Sequence, residues 1–225
     1  MGRCLKSTAG PAGVGEARRR LQVRAPGICH VDDFHGNGDW QPRLARAADL
    51  GLDHVCLSPF LARRNDPLLI SDLAKPNPGL GIGGSTEEAV HEMATLCERR
   101  GLRLCLDVVL DRLAFDGASA HQAGDLFERR YESDVVDPRL DSSIAHAVTV
   151  RPDADRIASW WASHLVRLAN AGASAFRLLG LGLLPGGALR EIVAATRREA
   201  DCALWAWTPG LAWSRHGELD RKSVV

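Results

Sequence analysis

"LRLCLDVVLD", Leu102 to Asp111, decides the architecture. Apart from Arg103 and two aspartates it is apolar, without alternation. A strand with one wet face alternates polar and apolar residues. A run this continuous marks a strand buried on both faces, as in a parallel sheet covered by helices. The segment just upstream supplies such a helix. "STEEAVHEMATLCERRG" (85–101) opens with Ser85 and Glu88 at capping-box spacing, so each side chain satisfies an orphan backbone donor of the first turn. Ala89, Met93, Leu96 and Cys97 form its apolar stripe. Arg99 and Arg100 stand at the negative end of the helix dipole, and Gly101 stops the helix.

The same alternation extends in both directions. Upstream, "GICHVDDF" (27–34) and "DHVCLSPF" (53–60) read as strands. Between them "WQPRLARAADLG" (40–51) places Trp40, Leu44, Ala47 and Ala48 on one helical face and ends at Gly51. Downstream, "DADRIASWWASHLVRLANAG" (153–172) is a helix burying Ile157, Trp161, Leu165 and Leu168. "ASAFRLLGL" (173–181) is a fourth strand, "GGALREIVAATRREA" (186–200) a helix, and "ALWAWTPG" (203–210) a fifth strand. Two connections read as irregular. Residues 61–84 are dense in Pro, Gly, Asn and Asp. The polar stretch from 112 to about 152 has no clear period, and its acidic and basic mixture at 125–141 reads as a solvated loop.

Strands alternating with helices over short joints make an α/β fold with right-handed parallel crossovers. Two architectures compete: an open doubly wound sheet, and a partial (β/α)8 TIM barrel of about five β/α units. A complete barrel takes about 250 residues for its eight units. Five strands here consume nearly all of 225 residues. The expected organisation is a Gly-, Ala- and Arg-rich disordered tail over 1–26, a barrel-type domain over 27–213, and a polar tail over 214–225.

Composition bounds the function. Lys+Arg and Asp+Glu both number 28, so the formal net charge is zero. That balance argues against nucleic acid and against an anionic membrane surface as partners. No apolar run reaches the roughly 18 residues of a membrane span. The six cysteines form no C-x-x-C pair. Neither a zinc motif nor a disulfide framework is indicated, which suits a reducing compartment such as the cytoplasm. "GLGIGGST" precedes a helix and could cradle a phosphate. It lacks a lysine and does not directly follow a strand, which argues against nucleotide binding. No metal and no cofactor is expected.

In parallel α/β folds chemistry collects at the carboxyl ends of strands. The polar residues there are His30, Asp32 and Asp33 on the first strand, Ser58 on the second, Asp107 and Asp111 on the third, Arg177 on the fourth and Thr208 on the fifth. Arg177 sits in the apolar run "AFRLLGLGLLP" (175–185). A guanidinium keeps its charge, so burial requires an anionic partner. Asp107 lies on the neighbouring strand, and an ion pair between the two is expected.

Four stretches, in order, resemble the α-amylase superfamily, glycoside hydrolase family 13. "LGLDHVCLSPF" is similar to the family's second strand with the helix end before it. "SDLAKPNPGLG" resembles the loop that follows. "GSTEEAVHEMATLCERRGLRLCLDVVLDR" resembles its second helix and third strand, where the family has Asp-Val-Val-x-Asn-His. "AFRLLGLGLLP" stands where the family has Gly-Phe-Arg-x-Asp with a later Pro. "LDVVLDR" and "AWTPG" look most like bacterial maltosyltransferases that act on maltose-1-phosphate and α-glucan. The resemblance covers roughly residues 27–213. It implies a barrel and chemistry on α-glucan or maltooligosaccharide, carried out by two carboxylates.

The departures bear on activity. A retaining glycosidase needs a nucleophile and an acid/base carboxylate about 5–5.5 Å apart. The family's nucleophile is the Asp two residues after the strand-four Arg; that position is Leu179. The acid/base Glu belongs on strand five, where Ala206 or Trp207 stands. The strand-three His and Asn are Arg112 and Asp111, and a third Asp belongs to a strand seven that the chain does not reach. No catalytic residue is therefore assigned. Asp107, Arg177, His30 and Asp111 are kept as substrate-binding or site-scaffold residues.

Three alternatives stay open: an active glycosidase or maltosyltransferase using Asp111 or Asp116, a non-catalytic glucan-binding module, and a fragment of a larger multidomain protein. Asp32 and Asp33 are adjacent and cannot share a strand face, so they are no catalytic pair. His164 falls at the edge of its helix's apolar face. Trp205 and Trp207 share one side of strand five and could, with Trp213, stack on sugar; packing against helices is at least as good a reading.

Overall fold

A computed structural model describes residues 27–30, 39–64, 66–129, 146–153 and 155–207. The tails over 1–26 and 214–225, Asp32, Asp33, Thr208 and Trp213 lie outside the described residues.

Five strands form one all-parallel sheet: β1 (Gly27–His30), β2 (His54–Ser58), β5 (Arg103–Val109), β9 (Ala175–Leu179) and β10 (Ala203–Ala206). Their spatial order is β1-β2-β5-β9-β10, the order of the chain. A doubly wound sheet reverses direction at a switch point. This one does not, so the barrel alternative holds, as five strands that do not close among the described residues. Helices α1 (Gln41–Asp49), α2 (Thr86–Glu98), α4 (Ile157–Asn170) and α5 (Ala188–Glu199) supply the crossovers.

The run that decided the fold behaves as its composition requires. In β5 every residue from Leu104 to Val109 is buried, and only Arg103 is exposed. Leu104, Leu106 and Val108 point toward the helices and join a core with Met93, Cys97, Trp161, Leu165 and Ile192. Cys105, Asp107 and Val109 alternate to the opposite, concave face. The capping box at α2 is complete: the Ser85 side chain accepts from Glu88 N–H, and the Glu88 carboxylate accepts from Ser85 N–H at 2.8 Å. That bond holds the Glu88 carboxyl below its usual range. Ile157, Trp161, Leu165 and Leu168 are all buried, and Trp161 Nε1 donates to the Leu110 carbonyl at 2.9 Å, pinning α4 to the end of β5.

Both connections expected to be irregular contain strands. Within 61–84, β3 (Leu61–Arg63) and β4 (Ile70–Pro76) pair antiparallel, with register shifts at Leu61/Ala62 and Ala62/Arg63. The shifts break the period-2 pattern that would have revealed them. Within 112–152, β6 (Arg112–Ala114), β8 (Ala147–Val150) and β7 (Phe127–Glu128) form a small antiparallel sheet in that order, and α3 (Ala118–Ala123) precedes β7. Strands this short carry no periodicity. The solvated-loop reading of 125–141 is corrected at its start, because Leu126 and Phe127 are buried in the main core.

His164 sits edge-on to Trp160 with ring centroids 4.6 Å apart. Burial, reinforced by Arg167 and opposed by Glu87, pulls its pKa from 6.5 down to about 4. The folded protein thus holds His164 neutral where the unfolded chain protonates it. The associated stability is complete above pH 6.5 and falls as the pH drops through that value towards 4. Urea midpoints measured from pH 7 to pH 4 should decline, and His164→Phe should flatten that decline. An unchanged slope would mean that His164 charges freely in the fold.

Candidate functional site

The concave face is built in layers, because parallel register brings alternate residues of neighbouring strands side by side. One layer is Cys56, Cys105, Ala175 and Ala203. The next holds Asp107, Arg177 and Trp205 as direct neighbours, on the side toward the carboxyl ends.

Asp107 and Arg177 meet as a fork. Arg177 Nε donates to Asp107 Oδ1 at 2.7 Å, and Nη2 donates to Oδ2 at 2.5 Å. The side chains keep 11% and 5% of their exposure, so the charges are withdrawn from water and answer each other. The Asp107 carboxylate lifts the Arg177 pKa further above its ordinary value. Cys56 Sγ adds a third donor, to Oδ1 at 3.0 Å. Hydrogen bonding with Cys105, then burial, pushes the Cys56 thiol up, so it stays protonated and donates rather than attacking. The outer side of Arg177 is covered by the Trp207 ring, whose centroid lies 5.0 Å from the guanidinium carbon.

Trp205 corrects the expectation of packing against helices. It lies on the concave face against Cys56, Cys105 and Ala175, and its ring meets His54 edge-on at 5.2 Å. A large indole thus covers a layer of small residues. His54 is buried, its Nδ1 has no hydrogen-bond partner among the described residues, and desolvation lowers its pKa.

Leu179, at the end of β9, shares a narrow cleft with Asp107, Val109, Phe60 and Leu68. The space enclosed there is about 20 Å³. One water needs about that much. Asp111 is drawn away into a separate buried fork with Arg112, whose Nε donates at 2.8 Å and Nη2 at 3.3 Å. His30 stands opposite Ser58 in the register at the carboxyl end of β1. The structure therefore joins Asp107 with Arg177 and leaves Asp111 in its own ion pair. Among the described residues, no group of three or more His, Cys, Asp or Glu side chains could hold a metal ion, and no helix is long and apolar enough to cross a membrane.

One cluster was missed in the sequence. Arg64, in the β3–β4 turn, holds Asp116, after β6, with Nε at 3.0 Å and Nη2 at 2.7 Å. Both border a cavity of about 740 Å³ with Asp66, Pro67, Leu69, Phe115 and His146. No local signal connects Arg64 to a residue 52 positions away.

The chain is 31% identical over 180 residues to the α-1,4-glucan:maltose-1-phosphate maltosyltransferase of Burkholderia pseudomallei, an alignment covering 76% of this chain and 16% of that protein. Among solved structures, the noncanonic maltogenic α-amylase of Thermotoga neapolitana superposes with a TM-score of 0.65 at 14% identity, over 83% of this chain and 46% of that one. The chain is a relative of the α-amylase superfamily, glycoside hydrolase family 13. The cyclic α-maltosyl-(1→6)-maltose hydrolase of Arthrobacter globiformis gives a TM-score of 0.63 at 16% identity, over 83% and 44% of the two chains. These likenesses fix the α-amylase barrel as the fold. No protein-family model matches the chain. This α-amylase relative spans under a fifth of the curated protein it matches and under half of these two solved chains.

Proposed function

We propose that this chain is an α-amylase-family domain of α-glucan metabolism that holds maltooligosaccharide without cleaving or transferring it. The observation that supports this reading is Leu179 on β9, two residues after Arg177, where the resemblance puts the nucleophile. An alkyl side chain forms no glycosyl ester, and Ala206 or Trp207 supplies no proton to a leaving group. The Asp107 carboxylate already receives Arg177 twice and Cys56 once, which favours a scaffold role over contact with sugar. The cleft beside Leu179 is narrow and is walled by Phe60, Val109 and Leu68, which offer no polar group to a sugar. The substrate class is taken from the Burkholderia pseudomallei relative, which is named for α-1,4-glucan and maltose-1-phosphate.

Incubation with maltoheptaose, alone and with maltose-1-phosphate, should release no shorter sugar and build no longer one. Calorimetry with maltoheptaose should still record binding. Turnover that Asp111→Asn or Asp116→Asn abolishes would overturn the inactive reading in favour of an enzyme using those carboxylates.

A further inference from the structure

We propose that the cavity between the β3–β4 turn and the turn after β6 is a binding site for a neutral sugar unit of α-glucan, separate from the strand ends. This rests on the reading of the chain as a glucan-binding domain and places the binding. At about 740 Å³ the cavity falls in the size range of small-molecule sites, whereas the cleft at Leu179 and Asp107 holds about 20 Å³.

Its lining selects the ligand class. Pro67 and the Phe115 ring give apolar surface for the C–H face of a pyranose. The Arg64–Asp116 pair presents donors and acceptors side by side, with each partner about half exposed, at 50% and 46%. Asp66 engages one carboxylate oxygen with Leu68 N–H at 2.8 Å, and His146 adds an imidazole. The charges nearly cancel. A phosphate would meet the carboxylates of Asp66 and Asp116, and Arg64 is already committed to Asp116. A cation would meet Arg64 and also Arg129, whose guanidinium lies 4.5 Å from the Phe115 centroid. A polyhydroxyl ligand carries no charge to be repelled and uses donors and acceptors alike.

The walls are held in place. A Cβ on Gly117 would lie 2.4 Å from the Ser71 carbonyl oxygen, so only glycine lets the Phe115–Asp116 turn close on β4. Ser119 Oγ accepts Leu73 N–H at 2.7 Å across the same junction. Beneath them Leu69, Ala114 and Ala147 form a small buried cluster. Arg64 Nη2 also reaches the Asp116 carbonyl at 3.3 Å, tying the turn at two points. Such preorganisation lowers the ordering cost of binding.

The test is calorimetry of the full chain with maltoheptaose, paired with amide exchange. Phe115→Ala and Asp116→Asn should each weaken binding tenfold or more, and Phe115→Tyr, which keeps the ring, should retain it. Circular dichroism checks that each variant is folded. In the unmodified chain, maltoheptaose should slow exchange at Arg64, Asp66, Leu68 and Leu69 and at 115–117, a readout that needs no variant. Binding that survives both substitutions, with protection elsewhere, would overturn this location and leave glucan binding intact. Absence of any binding would remove the glucan-binding reading and this site together. Maltose-1-phosphate binding tenfold more tightly than maltose would overturn the neutral-ligand assignment.

Discussion

Arg177→Ala should destabilise the chain by about 3–5 kcal/mol, the cost of leaving one buried charge of a pair without its partner. The size follows from the burial of both side chains and from the fork geometry, with two N–H donors on one carboxylate. After the substitution Asp107 keeps, among the described residues, only the Cys56 thiol, a weak donor. For a domain of this size each kcal/mol lowers the melting temperature by about 2–4 °C, so a drop of at least about 6 °C is expected. The double variant Asp107→Leu/Arg177→Met should recover most of the loss, because it removes both charges. A single-variant loss below about 1 kcal/mol would show that water reaches the pair. It would also weaken the argument that Asp107 is a scaffold residue.

Gly180→Ala should cost about 3 kcal/mol or more, from left-handed backbone strain together with overpacking. Gly180 has φ of 65°, directly after Leu179. A Cβ there would stand 2.3 Å from Asp111 Oδ1 and 2.8 Å from Val109 Cγ1. Asp111 cannot yield cheaply, since it is buried and held by Arg112. The turn also fixes the end of the sheet, where Leu110 N–H donates to the Leu179 carbonyl at 2.9 Å. Urea unfolding measures the loss. A change below about 1 kcal/mol would mean that the turn relaxes and that Asp111 has another position to occupy.

The two substitutions probe the same end of the sheet from opposite sides. Arg177 tests whether the surviving polar pair is structural. Gly180 tests whether the loop that follows Leu179 has space for any further group. Large losses in both would describe a strand end packed for stability, in keeping with the scaffold role proposed for Asp107.

Elements of strong period or unbroken apolarity were legible along the chain. Residues 102–111 read as a strand buried on both faces, and β5 is one. The helix over 85–101 carries its start signal in Ser85 and Glu88, and that capping box forms. The pairing of Asp107 with Arg177 was legible because burial forbids a lone guanidinium and the neighbouring strand carries the Asp107 carboxylate within its apolar run. The β3–β4 hairpin was not, since its bulged register erases alternation. Trp205 stayed open between two faces because period 2 gives two faces without saying which one meets the helices.

By itself, then, the sequence determined the α/β class, the boundaries of the main helices and the Asp107–Arg177 pair. These depend on local periodicity and on residue identity, which the chain carries directly. Only the tertiary structure decided the β1-β2-β5-β9-β10 order that separates barrel from doubly wound sheet, the concave placement of Trp205, and the narrow cleft beside Leu179. It alone brought Arg64 to Asp116 and opened the cavity beside Phe115. Those features arise from contacts between segments distant along the chain, whose partners are chosen by packing and leave no mark in either segment alone.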